Sequence, residues 1–453
     1  MAYNFVACDR DQPYLLPPSL TDWLPDNHLA WFVIEAVEHI DIKPFFTKYR
    51  ADGIGNTAFN LKMMAALLIY AYCKGERSSR QIEKYCETDV AYRVISANQI
   101  PDHSTISRFR KDNERHLKGL FLEILKLCAE AGLVKVGRLS LVGTKMEANA
   151  SLAANRTLKH LKVEINRMLT QAAQKDAEED KLFGKDKRGD ELPEDMQNRK
   201  GRMERLKACK ERLEKKEEEE RKAQEEKIAR YKAKEEKAQK RRRGRKPKDP
   251  DEISKKEAKA NVTDPDSRIM KTREGYVQGL NAQAVVTEEQ IIVAEDVTQE
   301  ENDKKQLHPM IEQTESNRVA AGITEDTGVV LADAGYASDD NSRRNPAGDV
   351  ELLVATRNDY KQREALQEGH SPEEPVPIGL SPTELMERKI QKNRELYRLR
   401  SQTVEPVFGQ IKDIRGCDRF KRRGLAACRS EWSLVCATHN LFKLWRSRKA
   451  CWN

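Results

Sequence analysis

The sequence predicts an α/β protein, and three observations support this prediction. The first third of the 453-residue chain has helical periodicity, with apolar residues three and four positions apart. Beyond Val136, short β-branched runs follow one another, separated by turns or by gaps of helix length. A long, highly charged block lies between the first two of these runs. Strands mixed with helices indicate one central sheet, with the charged block inserted into it.

Composition sets bounds on the class of protein and on its partners. Lys and Arg number 82 and Asp and Glu 74, so the net charge is +8, which permits nucleic acid as a partner without requiring it. The nine cysteines are scattered without zinc-site spacing and predict reduced thiols. No apolar run approaches the ~18 residues of a membrane span, and no signal peptide is evident. We therefore expect a soluble, cytoplasmic protein with no membrane partner.

Residues 1–135 are expected to form an all-helical domain. Apolar periodicity and capping residues predict helices that begin after Asn27, span 61–75, begin after Ser78 with a break near Thr88, and begin at Ser104 or Thr105. Gly75 is a good residue to end the second of them, because glycine adopts the left-handed conformation of a helix C-terminus.

A basic helix near position 108 gives this region a helix-turn-helix-like layout. A short helix and a turn precede it, as in that DNA-binding motif. Arg108 and Lys111 lie three residues apart on one helical face, with Arg110 beside them. These side chains could contact phosphates or base edges of DNA. The alternative is a solvated basic face on a helix of the core.

The sheet domain is expected to comprise residues 136–154 and 263–453. Its strand-like runs are short and rich in β-branched residues, and they span 138–142, 276–286, 290–297, 328–335 and 350–356.

Residues 155–262 are predicted to form an antiparallel helical hairpin inserted into the sheet domain. A narrow, coiled-coil-like seam with 3-4 spacing comprises Leu158, Leu161, Ile165, Met168 and Ala172. A turn is expected at 184–195, followed by a charged helix over 210–243 whose arm is frayed because its apolar residues are far apart. The charge run is interpreted as a solvated face.

A basic tail, 240–251, ends the insertion. Its Arg243-Gly244-Arg245 segment resembles a short hook for the minor groove of A·T-rich DNA. The alternative is a basic linker with no fixed partner, which would still raise non-specific DNA affinity through counterion release.

Two acidic residues stand out by position. Asp333 follows the apolar run Val329–Ala332 at a predicted strand end, where substrate sites collect in α/β folds. The alternative for Asp333 is a turn or a helix cap. Glu405 precedes Pro406, which predicts a helix restart that would place Glu405 near a helix N-terminus.

Glu405 and Lys412 are seven residues apart and would share one helical face. With Arg400 nearby, this stripe could hold metals and phosphates together. The alternative is an exposed, salt-bridged helix.

These features together resemble the DDE transposases of bacterial insertion sequences. The quoted likenesses are LADAGY (331–336), YRLRSQTVEPVFGQIK (397–412) and SEWSLVCATHNLFKLW (430–445). RSSRQIEKYCETDVAYRVIS (77–96) and PDHSTISRFR (101–110) resemble the amino-terminal DNA-binding region of that family. The resemblance covers nearly the whole chain.

The resemblance implies an RNase-H-like catalytic domain. Three carboxylates of that family hold two divalent ions, Mg²⁺ or Mn²⁺, for in-line displacement at phosphorus. Asp333 matches the second carboxylate and Glu405 the third. Tyr397, Arg400 and Lys412 match residues expected to contact DNA near the cleaved phosphate. Element ends and target DNA are the implied partners, bound by a homodimer or higher oligomer.

The first carboxylate is missing. The family has Asp before Gly-Thr-Lys, where this chain has Val142, and Glu147 is no obvious replacement because it has the opposite strand parity. Without this ligand, metal binding is in doubt and catalysis should be impaired. The sequence therefore predicts an impaired transposase. The alternatives are a non-catalytic DNA-binding protein that inhibits active relatives, or a coiled-coil interaction protein.

Overall fold

The computed structural model describes residues 19–49, 58–183, 194–238, 258–272, 275–343, 350–357 and 379–449, with 247, 249, 361 and 364 in addition. Within these residues, no helix combines the length and the apolar character that crossing a membrane requires.

The amino-terminal region is helical, as the periodicity predicted. Its helices are α1 (Leu29–His39), α2 (Leu61–Cys73), α3 (Ser79–Thr88), α4 (Val90–Ile95), α5 (His103–Asp112) and α6 (Glu114–Glu130). Gly75 follows α2 with a left-handed φ of 81°. The break near Thr88 is confirmed, because the carboxylate of Asp89 caps α4 by accepting from the backbone N–H of Ala91 at 2.9 Å.

Two of the predicted helix starts differ slightly from the observed ones. α1 begins after His28, whose Nδ1 accepts from the backbone N–H of Ala30 at 3.1 Å. α5 begins at His103, because Asp102 and not a hydroxyl residue supplies the cap.

The predicted central sheet is present. Its strands are β1 (Arg138–Glu147), β4 (Arg268–Lys271), β5 (Tyr276–Thr287), β6 (Ile292–Thr298), β7 (Val329–Ala332) and β8 (Glu351–Val354). β5 pairs with β4 and β6 on one side and with β1 on the other, and β7 and β8 follow. β1 is antiparallel to β5 but parallel to β7, which is parallel to β8. The last two strands therefore bring their carboxyl ends to one edge.

Helices flank the sheet. They are α9 (Leu307–Ala320), α10 (Asp339–Arg343), α11 (Pro382–Lys392), α12 (Arg394–Gly409) and α13 (Leu425–Ser447), with a π-helical turn at Gln410–Ile414. α13 is buried along most of its length and packs against β6 and α6. The indole N–H of Trp432 donates to the carbonyl of Gln283 at 3.0 Å, which fixes α13 to β5.

One continuous hydrophobic core joins the amino-terminal helices to the sheet domain. α6 and α13 form the largest helix–helix contact in it. At its margin the buried guanidinium of Arg77 pairs with the buried carboxylate of Glu431 at 3.0 Å. Arg77 also donates to the carbonyls of Gly416 and Arg419 at 2.8 and 2.6 Å. Residues 1–135 therefore share their interior with the region that carries the candidate site.

The insertion contains the two predicted helices, α7 (Leu158–Phe183) and α8 (Glu194–Ala238). They pack through a small core of their own, which includes Leu161, Ile165, Leu206, Cys209 and Leu213. A two-stranded ribbon, β2 (Asn155–Thr157) with β3 (Lys259–Asn261), joins their base. The second arm is a single continuous helix and not a frayed one, and exposed ion pairs four residues apart support it.

Two predicted features of the insertion lie outside the described residues. They are most of the turn expected at 184–195 and nearly all of the basic tail, including Arg243-Gly244-Arg245.

Candidate active site

Val142 and Asp333 come directly after the last paired residues of two adjacent parallel strands, at the edge of the sheet. In the parallel pairing of β1 with β7, Leu141 aligns with Ala332. The next residues along the two strands are Val142 and Asp333, both half-buried. The chain thus brings together two positions that are far apart in sequence, and one of them has no polar group.

Asp333 also caps a turn, which was the alternative reading of this residue. Its Oδ1 accepts from the backbone N–H of Gly335 at 2.8 Å at the start of the 3-10 turn Ala334–Tyr336. Capping does not exclude ligand binding, because a carboxylate has several acceptor sites.

Helix α12 lies across β7 and β1. The hydroxyl of Tyr397 donates to the carbonyl of Ala332 at 3.1 Å, at the end of β7. Two turns further along α12, the hydroxyls of Thr403 and Ser140 form a buried hydrogen bond of 2.8 Å. These two contacts fix the position of α12 over the two strands whose ends carry Val142 and Asp333.

Helix α12 and the turn after it contact β1 at two residues, Ser140 and Thr144, which lie on either side of Val142. Ser140, Val142 and Thr144 share one face of β1, because side chains alternate along a strand. Beyond α12, the ammonium of Lys412 donates to the hydroxyl of Thr144 at 2.5 Å. Glu405, an exposed residue of α12, lies in the chain between the residues that contact Ser140 and Thr144. The packing therefore directs the Glu405 segment toward the same face of the sheet as Val142.

The expected helix restart at Pro406 is wrong. α12 runs from Arg394 through Pro406 to Gly409, so Glu405 lies in its last two turns and not near a helix N-terminus. Packing of the buried residues Val404 and Val407 holds the helix together despite the missing N–H of proline. Lys412 also does not continue the α-helical stripe of Glu405, because it lies in the π-helical turn.

The residues expected to contact DNA near the cleaved phosphate are not equally accessible. Tyr397 and Arg400 are buried on the inner side of α12. Burial raises the pKa of the Tyr336 phenol, Asp303 and Asp333 raise it further, and Arg400 opposes them. Arg400 and these two carboxylates therefore act on the same buried phenol, with opposite signs. Lys412 is half-buried, and burial lowers its pKa.

Asp303 is a further candidate residue of this edge that no sequence pattern indicates. Its Oδ1 accepts from the side-chain amides of Asn281 and Gln283 at 2.6 and 2.7 Å. A Cβ placed on Gly335 would lie 3.0 Å from Asp303 Oδ2 and 2.9 Å from Asp333 Oδ1, so both carboxylates flank this glycine. No periodicity distinguishes Asp303, which lies in a polar loop after β6, so only the fold reveals its position.

Lys145 places a cation among these carboxylates. Its ammonium lies 3.7 Å from Asp303 Oδ1. Burial lowers the pKa of Lys145, and Asp303, Asp333 and Glu301 oppose this effect. Lys145 and Asp303 lie on the face of β1 opposite to Ser140 and α12, as strand alternation requires. The candidate site therefore includes a carboxylate, Asp303, and a cation, Lys145, on the face of the sheet that is opposite to α12.

We expect Asp303→Ala to destabilise the protein by about 3 kcal/mol, because it leaves two buried amides without their acceptor and removes the carboxylate that pairs with Lys145. Asp303→Asn should cost less, since an amide oxygen can still accept from Asn281 and Gln283. Chemical denaturation measures both. The matched control is Asp326→Ala, whose carboxylate pairs with Arg318 but is almost fully exposed. Equal losses for Asp303→Ala and the control would show that the hydrogen bonds of Asp303 do not support the site.

The side chains present do not make a complete ligand set for two metal ions. Within the described ranges, no three His, Cys, Asp or Glu side chains are grouped so that they could hold a metal ion. Hard cations such as Mg²⁺ require oxygen ligands, and a valine has no lone pair to offer. Position 142 adjoins Asp333 on the neighbouring strand, and a valine there supplies no metal ligand.

The three residues of α5 that are predicted to contact DNA differ in their exposure. Arg108 and Lys111 are exposed. Arg110 is only 7% exposed, and its guanidinium donates to the carbonyl of Arg77 at 2.6 Å. A DNA contact of Arg110 stays a prediction that this burial disfavours, because its guanidinium already bonds inside the protein.

Comparison with known proteins bears on both parts of the chain. Residues 18–112 match a family model described as Transposase domain (DUF772). Residues 249–441 match a family model described as Transposase DDE domain, and this match includes Asp333 and Glu405. Searches of curated proteins and of solved structures found no significant match.

Proposed function

Since the chain belongs to the DDE transposases of insertion elements, we propose that it binds the ends of its element and that the edge formed by Val142 and Asp333 is the place of strand cleavage and transfer. The observation that supports this proposal is the strand register, in which Leu141 aligns with Ala332 so that Val142 and Asp333 come next on adjacent strands, with α12 packed over both. The family relationship makes the chain a DNA transposase by class, and DNA is the substrate that this class acts on.

The sheet supports an RNase-H-like catalytic domain. An antiparallel β6–β5–β1 unit continues into the parallel strands β7 and β8. Asp333 follows β7, at the carboxyl end of a parallel strand, where active sites of α/β folds form. Glu405 on α12 would add the third carboxylate from above the sheet.

The chain with Val142 is proposed to bind DNA but to cleave it poorly. Arg108 and Lys111 of the helix-turn-helix-like region and Lys412 near the cleavage edge are the proposed contacts to element ends and target. Tyr397 and Arg400 are buried, so they would mainly hold α12 in place. Any contact that they make with DNA would be at the margin of α12. A second function follows from Val142 itself: a chain that binds ends without cutting them would inhibit active relatives, as part of a mixed oligomer or by occupying the ends.

The proposed metal site can be tested without a cleavage assay. We expect Mn²⁺ to raise the melting temperature of the Val142→Asp variant, because a ligand bound only by the folded state stabilises it. The chain with Val142 should show a much smaller rise. Without metal, Val142→Asp should melt lower than the parent chain, since a half-buried carboxylate then lacks a partner.

Two controls make this thermal shift specific. Val142→Asn has nearly the shape of aspartate without its charge and should not restore the Mn²⁺ response. Val142→Asp combined with Asp333→Asn should lose it again. A response that persists in this double variant would place the metal away from Asp333 and contradict the proposed site.

A further inference from the structure

A basic loop lies alongside the end of β1 and runs in the same direction. Residues 418–420 add to this strand, because the N–H of Glu147 donates to the carbonyl of Asp418 at 3.2 Å and the N–H of Phe420 donates to that of Glu147 at 2.8 Å. The bridge between Glu147 and Arg419 is parallel. The backbone thus fixes where Arg419 lies, and the strand beside it leads directly from Val142.

Three cations are anchored in succession along the end of β1 and the two residues that follow it. Lys412 donates to Thr144 and, at 3.3 Å, to the carbonyl of Lys145. The guanidinium of Arg419 bonds the carboxylate of Glu147, with Nε at 2.8 Å from Oε2. Arg423 Nε donates to the carbonyl of Asn149 at 2.9 Å.

The order of these anchors gives the cations a direction. An extended strand rises ~3.3 Å per residue, so the anchors at Lys145 and Glu147 are separated by roughly 7 Å, and the anchor at Asn149 follows just beyond the strand. The anchors of the three cations therefore succeed one another away from the edge that carries Asp333, with Lys412 on the Thr144 side of β1 and Arg419 on the Glu147 side.

The row of cations ends in a polar pocket of about 650 Å³. Arg419, Arg423 and Tyr276 line it, together with Glu147, Asn149 and Gln278. Tyr276, the first residue of β5, is 64% exposed, which is unusual for a large aromatic residue. Two guanidiniums face one carboxylate here, so the lining retains positive charge. The volume is within the range of pockets that hold a ligand of nucleotide size.

We propose that this row of cations and its terminal pocket hold the DNA strand that leads away from the cleaved phosphate. Phosphates would bind Lys412, Arg419 and Arg423 in order, and an unpaired base would stack on Tyr276. A positive groove combined with an exposed aromatic ring is the arrangement by which proteins hold single strands. Glu147 then has a role of its own: it holds the guanidinium of Arg419 in place. The proposal rests on the function proposed above and adds three residues to it, Arg419, Arg423 and Tyr276.

The salt dependence of DNA binding distinguishes the contribution of the arginines from that of Tyr276. The probe is a labelled duplex of one element end with a short single-stranded tail, and its dissociation constant is measured by fluorescence anisotropy at several salt concentrations. Arg419→Ala and Arg423→Ala should each lower the slope of log K against log salt by about 0.7 to 0.9, because each removes one phosphate contact. Tyr276→Ala should weaken binding about tenfold with an unchanged slope, and Tyr276→Phe should bind normally, since stacking needs only the ring.

Arg138 provides the matched control. It lies at the opposite end of β1, its side chain is 53% exposed against 55% for Arg419, and it pairs with Glu288 at 2.9 Å as Arg419 pairs with Glu147. Arg138→Ala should change neither affinity nor slope.

Three other results would contradict the proposal, in whole or in part. If Arg419→Ala and Arg423→Ala behave like Arg138→Ala while the parent chain binds the probe, the row of cations is not a DNA site although the proposed function stands. If Tyr276→Ala binds normally, no base occupies the pocket and that part of the proposal is overturned. If the parent chain does not bind the probe at all, the proposed function fails as well.

Discussion

Val142→Asp is expected to raise the rate of metal-dependent cleavage of element-end DNA about a thousandfold or more over the chain with Val142. Removal of one essential catalytic group from an enzyme typically costs several powers of ten, and each power of ten corresponds to ~1.4 kcal/mol of barrier. The substitution places a carboxylate beside Asp333, in the register that β1 and β7 define. Two oxygen-donating side chains would then meet at the sheet edge below the Glu405 segment.

The measurement is single-turnover cutting of a labelled element-end duplex with Mg²⁺ or Mn²⁺. Val142→Asn controls for shape and should remain inactive, because an uncharged amide is a weak ligand for a hard cation. Asp333→Asn or Glu405→Gln, added to Val142→Asp, should abolish cutting again. If the chain with Val142 cuts as fast as Val142→Asp, and Asp333→Asn stops it, our account of β1 is wrong. Asp303, which shares Gly335 as a neighbour with Asp333, would then be the carboxylate to test as a replacement.

Arg77→Ala is expected to lower the free energy of unfolding by about 3 to 5 kcal/mol, because it leaves the buried Glu431 carboxylate without its cation. The two side chains are 2% and 1% exposed. Arg77 also satisfies two backbone carbonyls of the segment that leads to α13, so its removal affects the join between the helical region and the sheet. Denaturant unfolding measured by circular dichroism reports the loss.

The matched control for Arg77→Ala is Lys62→Ala, which removes the exposed ion pair with Glu38 and should cost at most about 1 kcal/mol. Arg77→Met, Glu431→Met and the variant with both substitutions form a double-mutant cycle, and the double variant should recover part of the loss seen in the single ones, since no buried charge is left alone. Because the core is continuous, the helical region and the sheet should unfold together in every variant. Separate transitions for the two regions would show that residues 1–135 are an independent unit.

The sequence predicted the order and type of the main elements well, because apolar periodicity and turn residues are properties of short segments. Strand-like runs identified β1, β5, β6, β7 and β8, and the glycine after α2 was recognised from its C-terminal position. The position of Asp333 at a strand end followed from the apolar run before it. The same local reasoning failed at Pro406, where packing of α12 against the sheet outweighs the preference of proline to begin a helix.

Local patterns could not distinguish a charge on the surface from a charge inside. Arg108 and Arg110 are two residues apart on one basic helix, yet one is exposed and the other donates to a carbonyl 33 residues away. Asp303 appears in the sequence as one more acidic residue of a loop, and only the amides of β5 and the closeness of Gly335 make it part of the site.

The sequence by itself determined the helices and strands, the absence of a carboxylate at position 142, and the chain positions of Asp333 and Glu405. Tertiary structure decided that Val142 and Asp333 are neighbours, that Arg77 and Arg110 serve the interior, and that a row of cations leads from the sheet edge to Tyr276. The physical reason is that secondary-structure propensity acts over a few residues, whereas burial and electrostatic environment depend on contacts between segments tens to hundreds of residues apart.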